Sequence, residues 1–202
     1  MIDMELDLAQ GRDIVSYARA VVEGSFRKTK PTAPKSLKDV FSEKRGVFVT
    51  LHKKGSLRGC IGFPEPVLRL GDAVYNSALS AAFEDPRFPS VDEDELRQID
   101  VEVSVLTKPA EVKVSDSSEY VKNIVIGRDG LIAELGQQRG LLLPQVPVEQ
   151  GWGPQEFLEN TCEKAWLPPN AYLSKGFRLY SFSAQIFSEE KPRGNVVEKR
   201  II

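Results

Sequence analysis

Two β-rich runs, Val47 to His52 and Leu57 to Phe63, are separated only by Lys53-Lys54-Gly55-Ser56. A connection this short pairs them as an antiparallel hairpin and so fixes the start of a sheet. Along the second run side chains alternate between faces. The alternation groups Arg58 with Cys60 and turns Leu57, Ile61 and Phe63 the other way, toward the core. Two residues on one face lie roughly 6 to 7 Å apart at Cα, close enough for the guanidinium to favour a Cys60 thiolate. Gly59 and Gly62 weaken a strand interior and mark a bulge or a close backbone approach by a ligand. Against this stands the commoner role of a strand cysteine, a small buried hydrophobe without chemistry. His52 is the single histidine. Across a four-residue loop it sits opposite Leu57, away from Cys60, and a bulge reverses that. Zinc sites built from several histidines are excluded, and no metal ligand set or cofactor is expected.

Elsewhere the pattern alternates between helix and strand. Ile14, Val15, Ala18, Val21 and Val22 recur at helical spacing between Asp7 and Glu23, and the basic stretch Arg27 to Lys35 reads as an irregular loop before a short helical turn near Leu37 to Phe41. Pro66 opens a predicted helix running to Phe83, which Asp85-Pro86-Arg87-Phe88-Pro89 ends; two fixed proline φ angles hold Arg87 and Phe88 on a stiff loop. A short acidic helix from Asp92 leads to a strand from Ile99 to Thr107, with Glu102 and Ser104 on one face and valines on the other. If that polar face neighbours Arg58 and Cys60, Glu102 can pair with Arg58 or act as a general acid or base.

Further on, Glu111 to Val114 is a predicted strand, and Ile124–Ile126 with Leu131–Glu134 bracket a hairpin signal at Gly127-Arg128-Asp129-Gly130. Leu141 to Leu143 is a strand stopped by Pro144. A helix starting at Pro154 places Cys162 on its apolar face, Phe177 to Phe187 reads as one strand, and residues 188–202 as a loose tail.

Composition restricts function by exclusion. A 202-residue chain with 41% hydrophobic and 28% charged residues folds as one domain, or one domain with two lobes, around a substantial core. The 27 basic and 29 acidic side chains leave a net charge of -2, so no global field collects phosphates, and nucleic-acid binding through Lys28, Lys30, Lys53 and Lys54 is the weakest option. Phosphate-loop and dinucleotide glycine motifs are lacking. Two cysteines make no disulfide framework, and no apolar N-terminal stretch resembles a signal peptide or membrane span, so the cytoplasm is the expected compartment.

Leu57-Arg58-Gly59-Cys60-Ile61-Gly62, Phe83-Glu84-Asp85-Pro86-Arg87-Phe88-Pro89, Glu102-Val103-Ser104-Val105-Leu106 and Leu141-Leu142-Leu143-Pro144-Gln145-Val146, in that order, resemble the AMMECR domain family. Phe157-Leu158 and Cys162-Glu163-Lys164-Ala165 extend the likeness, which covers about Arg45 to Leu167. The resemblance implies one α+β domain over residues 1–202 with two subdomains. Its sheet is mainly antiparallel and flanked by helices, and the glycine-cysteine hexapeptide lies near a cleft between two lobes. It implies no settled activity, but it suggests Memo-like and radical S-adenosylmethionine proteins as pathway partners. Two arginines, a cysteine and a glutamate on stiff segments point to a small molecule or a modified macromolecular end as ligand, with Arg58 and Arg87 as anion clamps; the same surface serving only as a docking module is the alternative. Carried over by motif, Cys60 and Glu102 are the candidates for chemistry, and Arg58, Gly59, Asp85, Arg87, Phe88 and Gln145 for binding. One departure is Trp166, where relatives commonly have glycine, which bears on that helix end and on any role for Lys164.

Overall fold

Lys54 and Gly55 both adopt positive φ, 53° and 80°, closing a two-residue turn whose twist matches the strands it joins. The hairpin is tighter than the four-residue connection suggested, with Lys53 pairing directly with Ser56. Its strands are β1 (Val47–Lys53) and β2 (Ser56–Phe63). The computed structural model describes residues 6–199 and divides the chain into two units: one runs to Leu106 and resumes at Gln185, and the other is Thr107–Ala184. Both are mixed helix and antiparallel sheet, so the chain is α+β.

In the first unit β1 pairs on its other side with β3 (Ile99–Leu106), and β8 (Ala184–Glu189) and β9 (Val196–Lys199) complete the order β2-β1-β3-β8-β9. Val47, Val49 and Leu51 of β1 and Val101, Val103 and Val105 of β3 are buried with α1 (Leu8–Phe26) and α3 (Leu70–Phe83) in one core. Asp7 caps α1 reciprocally with Gln10. Arg19 of α1 is buried in a two-pronged ion pair with Glu189 of β8 and donates to the Ile99 carbonyl at 2.6 Å, tying the helix to two strands. α3 begins at Leu70 and not at Pro66: Val67 turns back on Glu65, and the Leu70 amide donates to Glu43, so the intervening backbone is committed to a turn. The segment read as a loose tail is ordered through Lys199, because Val196–Lys199 pairs with Ile186–Glu189; residues 200–202 lie outside the described residues.

A hydrogen at position 59 sets the spacing of helix and sheet. A Cβ on Gly59 would lie 2.0 Å from the Ala81 carbonyl oxygen of α3, a backbone atom that cannot swing aside.

The second unit holds β4 (Ala110–Glu111), β5 (Gly130–Leu135), β6 (Gln138–Leu142) and β7 (Arg178–Phe182) in the order β4-β7-β5-β6, followed in sequence after β6 by α4 (Gln145–Gln150) and α5 (Pro154–Lys164). Two expectations fail here. Of the predicted strand Glu111–Val114 only Glu111 lies in β4, which begins one residue earlier at Ala110 and pairs with β7. The hairpin across Gly127–Gly130 is replaced by one across Gly136, at φ 64°, because the Asp129 carboxylate accepts the Val125 amide at 2.8 Å and winds that segment into a turn. The single strand expected over Phe177–Phe187 divides at Ser183, whose amide donates to the Thr107 hydroxyl and whose carbonyl accepts the Thr107 amide, each at 2.9 Å.

α5 buries Phe157, Leu158, Thr161 and Cys162, which makes Cys162 a core residue, its thiol pushed up to about 11 by burial. The helix ends in a Schellman arrangement: Leu167 donates to the Cys162 carbonyl at 3.0 Å and Trp166 to that of Glu163 at 2.9 Å. Trp166 therefore takes the left-handed conformation, φ 59°, with its side chain outside, 88% exposed.

Two substitutions test these backbone requirements. Gly59→Ala is expected to destabilise the chain by about 3 kcal/mol in urea denaturation, since neither backbone can yield. Trp166→Gly is expected to raise stability by about 0.5 to 1 kcal/mol through relief of the left-handed strain. A loss of stability would show that contacts of the indole outweigh the backbone.

Candidate functional site

Pairing across the hairpin slips at Gly59. Leu51 faces Gly59 and His52 faces Leu57, so Arg58 has no partner on β1 and is the extra residue of a β-bulge. This overturns the expected grouping of Arg58 with Cys60. Thr50 and His52 share a face of β1, Cys60 lies opposite Thr50 and Leu57 opposite His52, so Leu57 joins Cys60 and is 40% exposed. Gly59 serves the bulge and the close approach of α3. His52 is also brought to the Cys60 side of the sheet. Its nearest charged group is nevertheless Asp100, with Nδ1 3.6 Å from Oδ2, too long for a hydrogen bond.

Freed from the ladder, Arg58 is buried and engages four of its five donors. Its Nε and one terminal nitrogen grip both oxygens of Glu95 at 3.1 and 2.8 Å, and it donates to the carbonyls of Pro89 at 2.9 Å and Ser90 at 3.2 Å. An anion clamp at Arg58 is thereby displaced by an internal role, since a ligand would have to break four bonds. Glu95 also accepts Lys53 at 2.7 Å and the Asp92 amide at 3.0 Å. Arg58, then Lys53, hold its carboxyl down to about 2. Sequence reasoning missed Glu95; the one available signal was its place three residues after Asp92, where a capping box reaches back.

Cys60 lies on the edge strand of its sheet, and Asp85 and Arg87 cover that edge. The Asp85 carboxylate accepts the Cys60 amide at 2.8 Å, and Arg87 donates to the Cys60 carbonyl at 3.2 Å. Together they occupy the positions of a neighbouring strand. Arg87 grips Asp85 with two donors at 2.9 and 2.7 Å, and this, with the Cys60 and Arg87 amides, holds the Asp85 carboxyl well below the usual range. Asp85 is buried, whereas the Arg87 side chain is 54% exposed and stands 5.5 Å from the Phe88 ring centroid.

The thiol of Cys60 accepts the Thr50 hydroxyl at 3.3 Å. Burial pushes it up, and the opposing pull of Thr50 and Arg87 does not offset that, with Asp85 and Glu102 adding to the rise. The thiolate that a neighbouring Arg58 would favour thus gives way to a thiol held toward its neutral form. Glu102 lies opposite Thr50 on β3, in line with Cys60 across three strands, but its carboxylate pairs with Lys199 at 2.7 Å and not with Arg58. Gln145 begins α4 in the second unit, whereas Arg58, Cys60, Asp85, Arg87, Phe88 and Glu102 belong to the first. Among the described residues no group of three or more His, Cys, Asp or Glu side chains could hold a metal, and no helix is long and apolar enough to cross a membrane.

These features define a class: an α+β domain whose bulged glycine-cysteine edge strand is covered by an aspartate-arginine pair. Residues 15–187 match the AMMECR1 family, and the chain belongs to it. It is similar to protein MJ0810 of Methanocaldococcus jannaschii, 51% identical over 98% of both chains, and to a Methanothermobacter thermautotrophicus protein, 54% identical over 90% of this chain and 95% of that one. The crystal structure of uncharacterized protein PH0010 from Pyrococcus horikoshii superposes with a TM-score of 0.88 at 43% identity, over 98% of this chain and 100% of that one.

The Glu95 hub gives a pH signature. Its carboxylate is ionised in the fold where the unfolded chain, near the ordinary 4.5, has taken up a proton. Its stabilisation is full above about pH 4.5 and is lost as the pH falls toward 2, on the order of 3 kcal/mol. Glu95→Gln should lower stability at pH 7 by about that amount and flatten the dependence below pH 4.5, read from urea denaturation at a series of pH values.

Proposed function

We propose that the Leu57–Gly62 strand and its covering loop form a binding site, and not a nucleophilic centre, for a small molecule or modified macromolecular end bearing an anionic group. One observation carries this: Arg87 is held rigidly by Asp85 and the Cys60 carbonyl, yet half its side chain faces outward over Phe88. A preorganised guanidinium binds an anion with little ordering cost. Asp85 neutralises much of the charge, so selectivity rests on geometry more than on field strength. The neutral Cys60 thiol suits a lining group better than an attacking one.

A second reading is a docking module for Memo-like and radical S-adenosylmethionine partners. Trp166, 88% exposed in a strained conformation, with Leu173 58% exposed, supports it, since exposed aromatic anchors are typical of interface centres.

Iodoacetamide should alkylate Cys60 more slowly at pH 7 than it does a free small-molecule thiol. Phosphate or acetate titrated into labelled protein should shift the Arg87 side-chain resonances, and Arg87→Gln should abolish the response with the fold retained. In a host lacking its own AMMECR1 relative, Cys60→Ala should complement and Arg87→Gln should not. The reverse pattern, with rapid alkylation, would restore the nucleophile and sink this proposal.

A further inference from the structure

The first unit contains a second concavity that shares no residue with the Cys60 cluster. Tyr17 of α1, Lys38 and Phe41 of α2 (Lys38–Ser42) and Arg69, Gly71 and Asp72 at the start of α3 line a cavity of about 290 Å³, close to the lower end of small-ligand sites. Its walls are mixed: Tyr17, Phe41 and Ala33 supply apolar surface, and Ser42 and the charged residues supply polar surface. The rings of Tyr17 and Phe41 stand 5.2 Å apart at 56°. Gly71 lets Phe41 lie against α3, because a Cβ there would come within 2.8 Å of the ring.

Three charges border this cavity: Lys38, Arg69 and Asp72. All three are exposed, and none forms an ion pair with another described residue, so each is open to a ligand. Tyr17 is only 7% exposed, and its hydroxyl has no hydrogen-bond partner among the described residues. That oxygen is not one of the buried unpartnered atoms, so it is open to water or to a ligand. The first turn of α3 also lacks a side-chain cap.

We infer that this cavity binds a small zwitterion of the α-amino-acid class. Lys38 and Arg69 take the carboxylate, Asp72 takes the ammonium group, and the ligand's apolar side chain lies against Tyr17 and Phe41. A simple anion would leave Asp72 repelling it at close range, whereas a zwitterion satisfies all three charges at once. The Tyr17 hydroxyl supplies a further neutral contact to the polar end.

Calorimetry on the full chain tests this with L-leucine and L-phenylalanine, each paired with the same skeleton lacking the ammonium group, isocaproate and hydrocinnamate. Saturable binding of at least one amino acid is expected, about tenfold tighter than its des-amino acid. Asp72→Asn should weaken the amino acid and, by removing the repulsion, tighten its des-amino partner, so that the two bind about equally. Arg69→Gln should weaken both. Equal binding of the paired compounds, an equal effect of Asp72→Asn on both, or no saturation by tens of millimolar, about the weakest useful affinity, would overturn the inference. If Asp72→Asn does not fold, the paired compounds on the unaltered chain decide it alone.

Discussion

Gly59 and the carbonyl of Ala81 lie closer than any side chain allows, and the geometry of the Cys60 cluster follows from that contact. Because β2 and α3 touch backbone to backbone, the residues leaving α3 emerge beside the sheet edge. Asp85 can then reach the Cys60 amide, and the next turn brings Pro89 and Ser90 to Arg58. The loop becomes a strap fastened at two points along β2. A larger residue at 59 would lift the helix, and both attachments with it.

The bulge at Arg58 decides the chemistry. In a regular strand Arg58 would stand beside Cys60 and favour ionisation of its thiol. As the extra residue it turns to Glu95 and two carbonyls, and its charge is spent on the scaffold. The arginine near the cysteine is instead Arg87, which arrives from the strap already paired with Asp85. A half-buried thiol between a neutralised arginine and two carboxylates is held toward its neutral form, which suits holding a group better than attacking one.

Much of the first unit was legible from local patterns. The Val47–Phe63 hairpin, the helix through Ala78 and Ala82 and the valine alternation at 101, 103 and 105 all formed, because each pattern is set by neighbours a few residues away. Elements depending on distant partners were misread. Val196–Lys199 resembles a tail until it is placed against Ile186–Glu189, and the run from Phe177 to Phe187 resembles one strand until Thr107 fixes the break at Ser183. Arg19 and Glu189 are 170 residues apart in sequence, and nothing in either segment announces the pair.

The LRGCIG strand shows the same division. Its sequence determined that the hexapeptide is a strand, that glycine at 59 marks a bulge or a close approach, and that Asp85, Arg87 and Phe88 sit on a stiff loop, because alternation, missing Cβ atoms and proline rings act locally. Which face each side chain takes, which arginine meets the cysteine and whether the thiol ionises were decided only by tertiary structure. A one-residue slip in pairing inverts every face beyond it, and a proton's affinity depends on charges brought in from elsewhere in the chain.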